Sequence, residues 1–149
     1  MRLLISIDGT WKSWSEGAAG NGIGEKIRIT FQEPAYLTTM YIKNGYGELK
    51  FFHDNNRAKR LKISDLQGKS VIVELADTPF FQKLAWEQPL QGKQIVIEIV
   101  DVYKSAVWDD TCITEICFDN MSDQKQNFTI KHDVYENNID YTAFYQTAK

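Results

Sequence analysis

The chain is poor in the residues that make reactive sites by themselves. It has two cysteines, Cys112 and Cys117, and two histidines, His53 and His132. There is no Cys-x-x-Cys pair and no histidine near either cysteine, so a zinc site is excluded. If both cysteines lie in one strand, their odd spacing turns them to opposite faces, which disfavours a mutual disulfide. They read as small buried hydrophobes. Neither histidine sits in a recognisable nucleophile motif with a serine or cysteine. His132 falls on the apolar face of "FTIKHDV" and reads as a partly buried histidine with its hydrogen bonds met. Long apolar runs are also missing. "LLISI" near the start is too short to cross a membrane or to form a signal-peptide core. The expectation is therefore a cytosolic protein, or the soluble part of a larger one. In the second case it would be extracellular or attached to the cell envelope.

Basic charge is not in excess either. The formal net charge is -3. Cations are scattered apart from a small cluster at Arg57, Lys59, Arg60 and Lys62, which argues against nucleic acid as the main partner. There is no internal repeat, low-complexity tract or linker, so residues 1–149 are read as one domain with a real core.

What the sequence does have is strand after strand. "KIRITF" alternates and stops at Pro34. "AYLTTMYIKN" is rich in β-branched and aromatic residues and ends at Asn44-Gly45. "KRLKIS", "SVIVEL", "FFQKLAWEQ", "QIVIEIVDVY", "CITEICFDN" and "NFTIKHDVY" follow, separated by turn residues and Pro79 and Pro89. Short β-runs punctuated in this way predict an all-β sandwich or barrel. Helical period is weak everywhere. Its best candidate is the tail "NNIDYTAFYQTAK", where Ile139, Ala143 and Gln146 could share a face.

The glycine-rich stretch Gly17 to Gly24 has two readings. A phosphate cradle follows a strand and opens a helix. Here the glycines lead into a strand instead, and the lysine-hydroxyl pair of a phosphate loop is missing. The other reading is a loop that needs positive φ or close backbone approach, laid across the end of a sandwich.

Five segments in order carry a resemblance: "IDGTWKSWSEG", "GNGIGEKIRITF", "YIKNGYG", "NNRAKRLKI" and "DVYKSAVWDDTCITEICF". Together, from Ile7 to Phe118, they resemble the discoidin-like domain, also called the coagulation-factor C-type fold. The narrower likeness is to the subfamily found as the translocation domain of streptococcal NAD glycohydrolase and in bacterial envelope proteins. The resemblance implies a jelly-roll β-sandwich of the galactose-binding-like type with ligand-contacting loops at one end. It also implies a binding module, often glycan-directed, and not an enzyme. Two departures stand out. Only Met1 to Ser6 precede the "IDG" motif, too few for the usual first strand and lead-in. Residues 120–149 form an extension, expected to add one strand and a tail, with "NFTIKHDVY" covering an open sheet edge.

Within that frame the ligand candidates are Trp11, Asn44, Tyr46, Arg57, Trp108 and Asp110. Trp108 beside Asp109 and Asp110 looks like a sugar subsite, a stacking plate with hydroxyl acceptors; Asp110 and Thr111 could equally brace the loop. Tyr46 could stack on a sugar and Asn44 supply amide hydrogen bonds, or "NGYG" could be only a turn. Arg57 could fork onto a carboxylate or sulfate, or hold its own loop. Adjacent acids rarely reach one glycosidic bond from opposite sides, which argues against a glycosidase. The resemblance also suggests one cofactor, a structural calcium on Asp8, Thr10 and Glu115. The competing account is a turn capped by Asp8 and a Glu115 paired with a cation. The partner expected is a glycan or envelope component. The alternative is a protein-interaction or targeting module with no sugar site.

Overall fold

The computed structural model describes residues 2–5, 14–15, 20–120, 128–133, 140–143 and 147–148, with side chains for 20–31 and 33–118. The elements are strands β1 (Arg2–Ile5), β2 (Trp14–Ser15), β3 (Lys26–Asn44), β4 (Asn56–Asp65), β5 (Ser70–Glu74), β6 (Phe81–Tyr103), β7 (Thr111–Asn120), β8 (Phe128–Asp133), β9 (Asp140–Ala143) and β10 (Thr147–Ala148). A short 3-10 helix, Leu49–Asp54, lies between β3 and β4. All ten strands belong to one continuous, mostly antiparallel sheet, which wraps into the all-β sandwich.

Two long strands make the wrap. The first part of β3 pairs with the last part of β6, from Lys26 opposite Glu98 to Thr30 opposite Gln94. The register then shifts, and Ala35 to Lys43 pair with Gly92 to Phe81. That second part of β3 has β7 on its other side, whereas the first part has β8. Each long strand thus serves two neighbourhoods. The expected breaks at Pro34 and Pro89 are not strand ends. Pro34 falls in the shift between Thr30 and Ala35, and Pro89 lies between Ala85 and Leu90, where the second shift occurs. Sheets accept proline at such places, because no ladder hydrogen bond is lost.

Alternation explains what is buried. In β3, Ile27, Ile29, Phe31, Ala35 and Leu37 face inward, and the phase then slips so that Met40, Ile42 and Asn44 do. One extra residue in a bulge causes such a slip. Leu61 and Ile63 of β4, Ile95, Ile97 and Ile99 of β6, and Ile113, Ile116 and Phe118 of β7 complete one core. Each fully buried branched side chain contributes about 1.5–3 kcal/mol. Trp86 packs on this core from β6 and its indole N–H donates to the Leu37 carbonyl at 2.9 Å. Cys112 and Cys117 are both buried on β7, and no disulfide joins them.

Both ends of the chain contribute strands. A four-residue β1 does fit before the "IDG" motif, lying antiparallel on β7 from Arg2 opposite Asp119 to Ile5 opposite Ile116. β8 adds a strand to the edge of β3, and β9 pairs in turn with β8. The tail segment read as a helix candidate contains β9 and β10, with β10 paired to β1. Ile139 and Gln146 lie outside the described residues.

Candidate functional site

Four connections meet at one end of the sandwich: 20–25, 45–55, 76–80 and 104–110. Hydrogen bonds tie them together. The Gly45 amide donates to the Cys112 carbonyl at 3.0 Å, the Asn56 amide to Asp110 at 3.0 Å and the Trp108 amide to Asp54 at 2.9 Å. The Thr111 hydroxyl donates to the Asn21 carbonyl at 2.6 Å.

The inner layer of this end is polar. Asn44 is 1% exposed. Its Nδ2 donates to the Ala58 carbonyl at 2.7 Å, and its Oδ1 accepts from the amides of Gly45 and Ala58 at 3.0 and 3.2 Å. Asn56 Nδ2 donates to the Asp109 carbonyl at 2.8 Å, and Asn56 Oδ1 accepts from the Ser105 amide at 2.7 Å. Arg57 Nε and Nη2 donate to the two carboxylate oxygens of Asp77 at 2.9 and 2.6 Å, and Nη1 donates to the Asn55 carbonyl at 3.2 Å. The Arg57 guanidinium also lies over the rings of Phe52 and Tyr103. Hydrogen bonds from Arg57 hold the Asp77 carboxyl below its ordinary range, against the upward pull of burial. Among the described residues, no buried side-chain nitrogen or oxygen lacks a partner. This satisfaction matters because an unmet buried polar group costs about 1–3 kcal/mol.

Gly45 is the hinge of the arrangement. Its φ is +76°, and a Cβ there would stand 2.4 Å from Phe52 Cε2. No other residue type gives both the left-handed backbone and the room. In the 20–25 loop, Gly22 and Gly24 have φ of +77° and +94°. The Glu25 amide closes a turn onto the Gly22 carbonyl, and β3 follows at once. The glycines serve a turn into a strand, as the second of the two readings expected.

The outer layer mixes apolar and charged side chains. Leu49, Phe51, Phe80, Val107 and Trp108 are exposed, Trp108 by 61%, and so are Glu48, Lys50 and Lys104. Tyr46 is half-buried, its ring edge-on to Phe51 at 6.1 Å. Asp109 and Asp110 are exposed. Ser105 braces this loop, its hydroxyl hydrogen-bonded to the Trp108 carbonyl.

The sequence candidates therefore separate. Tyr46, Trp108 and Asp110 share the loop end. Asn44 and Arg57 are there too, but both are buried and direct their donors to Ala58, Asn55 and Asp77. Asn44 occupies an inward position of β3, in phase with Met40 and Ile42, and that alternation was the available signal. Trp11, Asp8 and Thr10 lie outside the described residues. Glu115, the third member of the suggested calcium set, is half-buried on β7 opposite Lys43. Among the described residues no group of three or more His, Cys, Asp or Glu is placed to hold a metal ion. Leu49, Phe51, Phe80 and Val107, also exposed at this end, were not among the sequence candidates. Their signal is an apolar residue inside a segment with no strand period, as in "ELKFFHD" and "KSAVWDD".

A family model, the NAD glycohydrolase translocation F5/8 type C domain, matches residues 6–119. The chain belongs to this family. No curated protein and no solved structure matches it. The translocation-type match begins just after β1 and ends within β7, so β8, β9 and β10 lie beyond it. The family is a discoidin-like translocation module and is not named for catalysis. No helix among the described residues is long and apolar enough to cross a membrane.

Proposed function

We propose that this translocation-type domain is a non-catalytic docking module that engages a protein partner through its loop end. The observation that carries the reading is the layering there. Asn44, Asn56 and Arg57, the groups best suited to orient a sugar, are turned inward. Outside, five large apolar side chains from three loops are exposed, Leu49 and Phe51, Phe80, and Val107 with Trp108, set among charged residues such as Glu48, Lys50, Asp109 and Asp110. Exposed large aromatics on a rigid frame act as anchors in protein interfaces, where they become fully desolvated. The underlying hydrogen bonds preorganise the frame, so little ordering is left to the moment of binding.

A second reading, glycan binding, rests on Trp108 with Asp109 and Asp110 alone. All three are exposed and adjacent, and together they could stack and accept from hydroxyls. A photo-reactive benzophenone residue at position 107 of the full chain, irradiated in the cells that make it, separates the readings. The protein reading expects a discrete adduct from position 107. It expects none from position 66, where Leu66 is more exposed than Val107 and lies at the β4–β5 turn, away from the loop end. Equal adducts from both positions would overturn it. A glycan array signal that disappears in Trp108→Ala, with no adduct at 107, would move the assignment to the sugar reading.

A further inference from the structure

A second feature lies away from the loop end, at the edge of β5. This strand pairs with β4 on one side, and no described strand pairs with its other side. The register fixes which backbone groups are already used. The Leu75 amide donates to the Lys59 carbonyl and the Asp65 amide to the Lys69 carbonyl, both at 2.9 Å. Val73 stands opposite Leu61 and Val71 opposite Ile63 in the same phase, so Val71 and Val73 turn their N–H and C=O toward β4. The N–H and C=O of Ser70, Ile72 and Glu74 then point away from β4, along the open edge. These three residues are exposed as well, Ile72 by 63%. Beyond the strand the edge is closed, because the Gln82 side chain accepts from the Ala76 amide at 2.8 Å and donates to the Ala76 carbonyl at 3.0 Å.

Open edges are commonly guarded by charge, proline or a bulge. β5 has neither proline nor bulge, since its register on β4 runs without a shift from Ser70 to Glu74. Its one charge, Glu74, stands at its end, and its central residue is Ile72. The strand "SVIVE" also reads nearly the same in both directions. An antiparallel copy centred on Ile72 therefore matches it. Ile72 meets its own copy, Val71 meets Val73, and Ser70 meets Glu74. The outward backbone groups of Ser70, Ile72 and Glu74 face their counterparts, and no like charges stand opposite one another. Every other two-fold register overlaps fewer residues of β5, and one centred on Glu74 sets two carboxylates together. Lys62 lies beside Ile72 on β4. Its copy would be three strand spacings away, about 14 Å, beyond the screening length at physiological salt.

We propose that β5 is an interaction surface for a second copy of this chain, joined by antiparallel strand addition about a two-fold axis at Ile72. The pairing carries the sheet from β4 and β5 of one copy to β5 and β4 of the other. It is isologous, so it closes on itself and leaves neither β5 edge open to further chains. The two Ile72 side chains meet on the outer face, flanked by the stems of the two Lys62 residues. Glu74, which has Arg60 at 4.0 Å, gains the Ser70 hydroxyl of the second copy. One pair of five-residue strands buries less than the roughly 1,200 Å² of a stable interface, so the dimer depends on concentration.

The test is sedimentation of the full chain from about 10 μM to about 1 mM, the range of weak complexes. The proposal expects a shift from monomer to dimer that stops at dimer. Ile72→Pro removes an outward N–H and no bond to β4, and Ile72→Lys sets two cations opposite each other. Each should weaken association about tenfold or more while the melting midpoint stays close to wild type. The lysine variant changes only an exposed side chain, so it keeps the test open if the proline variant is unstable. Cysteine reads the register. Cys112 and Cys117 are buried, so under mild oxidation Ile72→Cys should give a disulfide-linked dimer. Leu66→Cys should not, because its two copies would lie at opposite ends of the paired strands. A self-adduct runs at twice the chain mass, which tells it apart from a partner adduct at position 107. A monomer at every concentration, a dimer unweakened in Ile72→Lys, or equal disulfide formation from position 66 would each overturn the proposal.

Discussion

The middle of the sandwich and its loop end distribute polarity differently. In the middle, Ile29, Leu61 and Ile97 are inside while Arg28, Lys62 and Glu98 are outside. At the loop end, Asn44, Asn56 and Arg57 are inside while Leu49, Val107 and Trp108 are outside. The middle follows the ordinary rule, since removing apolar area from water is the main favourable term in folding. The loop end draws on that term through Phe52, buried against Gly45 and Arg57. Its further cohesion comes from hydrogen bonds that replace contacts with water almost one for one, each worth only about 0.5–1.5 kcal/mol net. Exposed apolar side chains held over a rigid polar frame suit docking.

Substitutions can break or sharpen this contrast. The largest effect belongs in the middle. Leu61→Ala opens a cavity among fully buried side chains and should cost about 2–5 kcal/mol in denaturant unfolding. At the loop end, Gly45→Ala combines a positive φ with the clash against Phe52 and should cost about 2–3 kcal/mol. Its damage should centre on the loop end, visible as faster amide exchange at Ala58 and Trp108.

Asp77→Asn should have a smaller effect, about 1–2 kcal/mol near neutral pH, since Asp77 is partly exposed and Arg57 keeps its contact with Asn55. It also changes the pH dependence. The folded protein holds the Asp77 carboxyl below its unfolded value. The pair therefore stabilises fully above the unfolded value and is lost as pH falls through the lower, folded one. Wild type should lose stability below about pH 4 with a contribution that Asp77→Asn lacks, so the two melting curves should converge in acid. Curves that stay parallel would remove the ion pair from the account.

Much of the fold could be read from the sequence, because a half-buried strand prints its period of two directly. Ile27, Ile29 and Phe31, and again Ile95, Ile97 and Ile99, show it. The continuity of β3 and β6 could not be read. A proline announces only a missing donor, and Pro34 and Pro89 sit at register shifts where none is required. The tail misled for a different reason. Spacing over a few residues at Ile139 to Gln146 fits a helix as well as a strand until a pairing partner is known, and β8 and β1 provide it for β9 and β10. At the loop end, residue type singled out Tyr46, Arg57 and Trp108, which the fold brings to one end of the sandwich. It could not assign layers, because Asn44 and Arg57 look the same in a sequence whether they face water or Ala58 and Asp77.

The inverted layering is tested most directly by unfolding Asn44→Ala and Trp108→Ser side by side in denaturant. Asn44→Ala should lose about 2–4 kcal/mol, because the Ala58 carbonyl and two backbone amides are left without their side-chain partner. Trp108→Ser should stay within about 0.5 kcal/mol of wild type, as an exposed side chain does. Equal losses, or a larger loss in Trp108→Ser, would contradict the account.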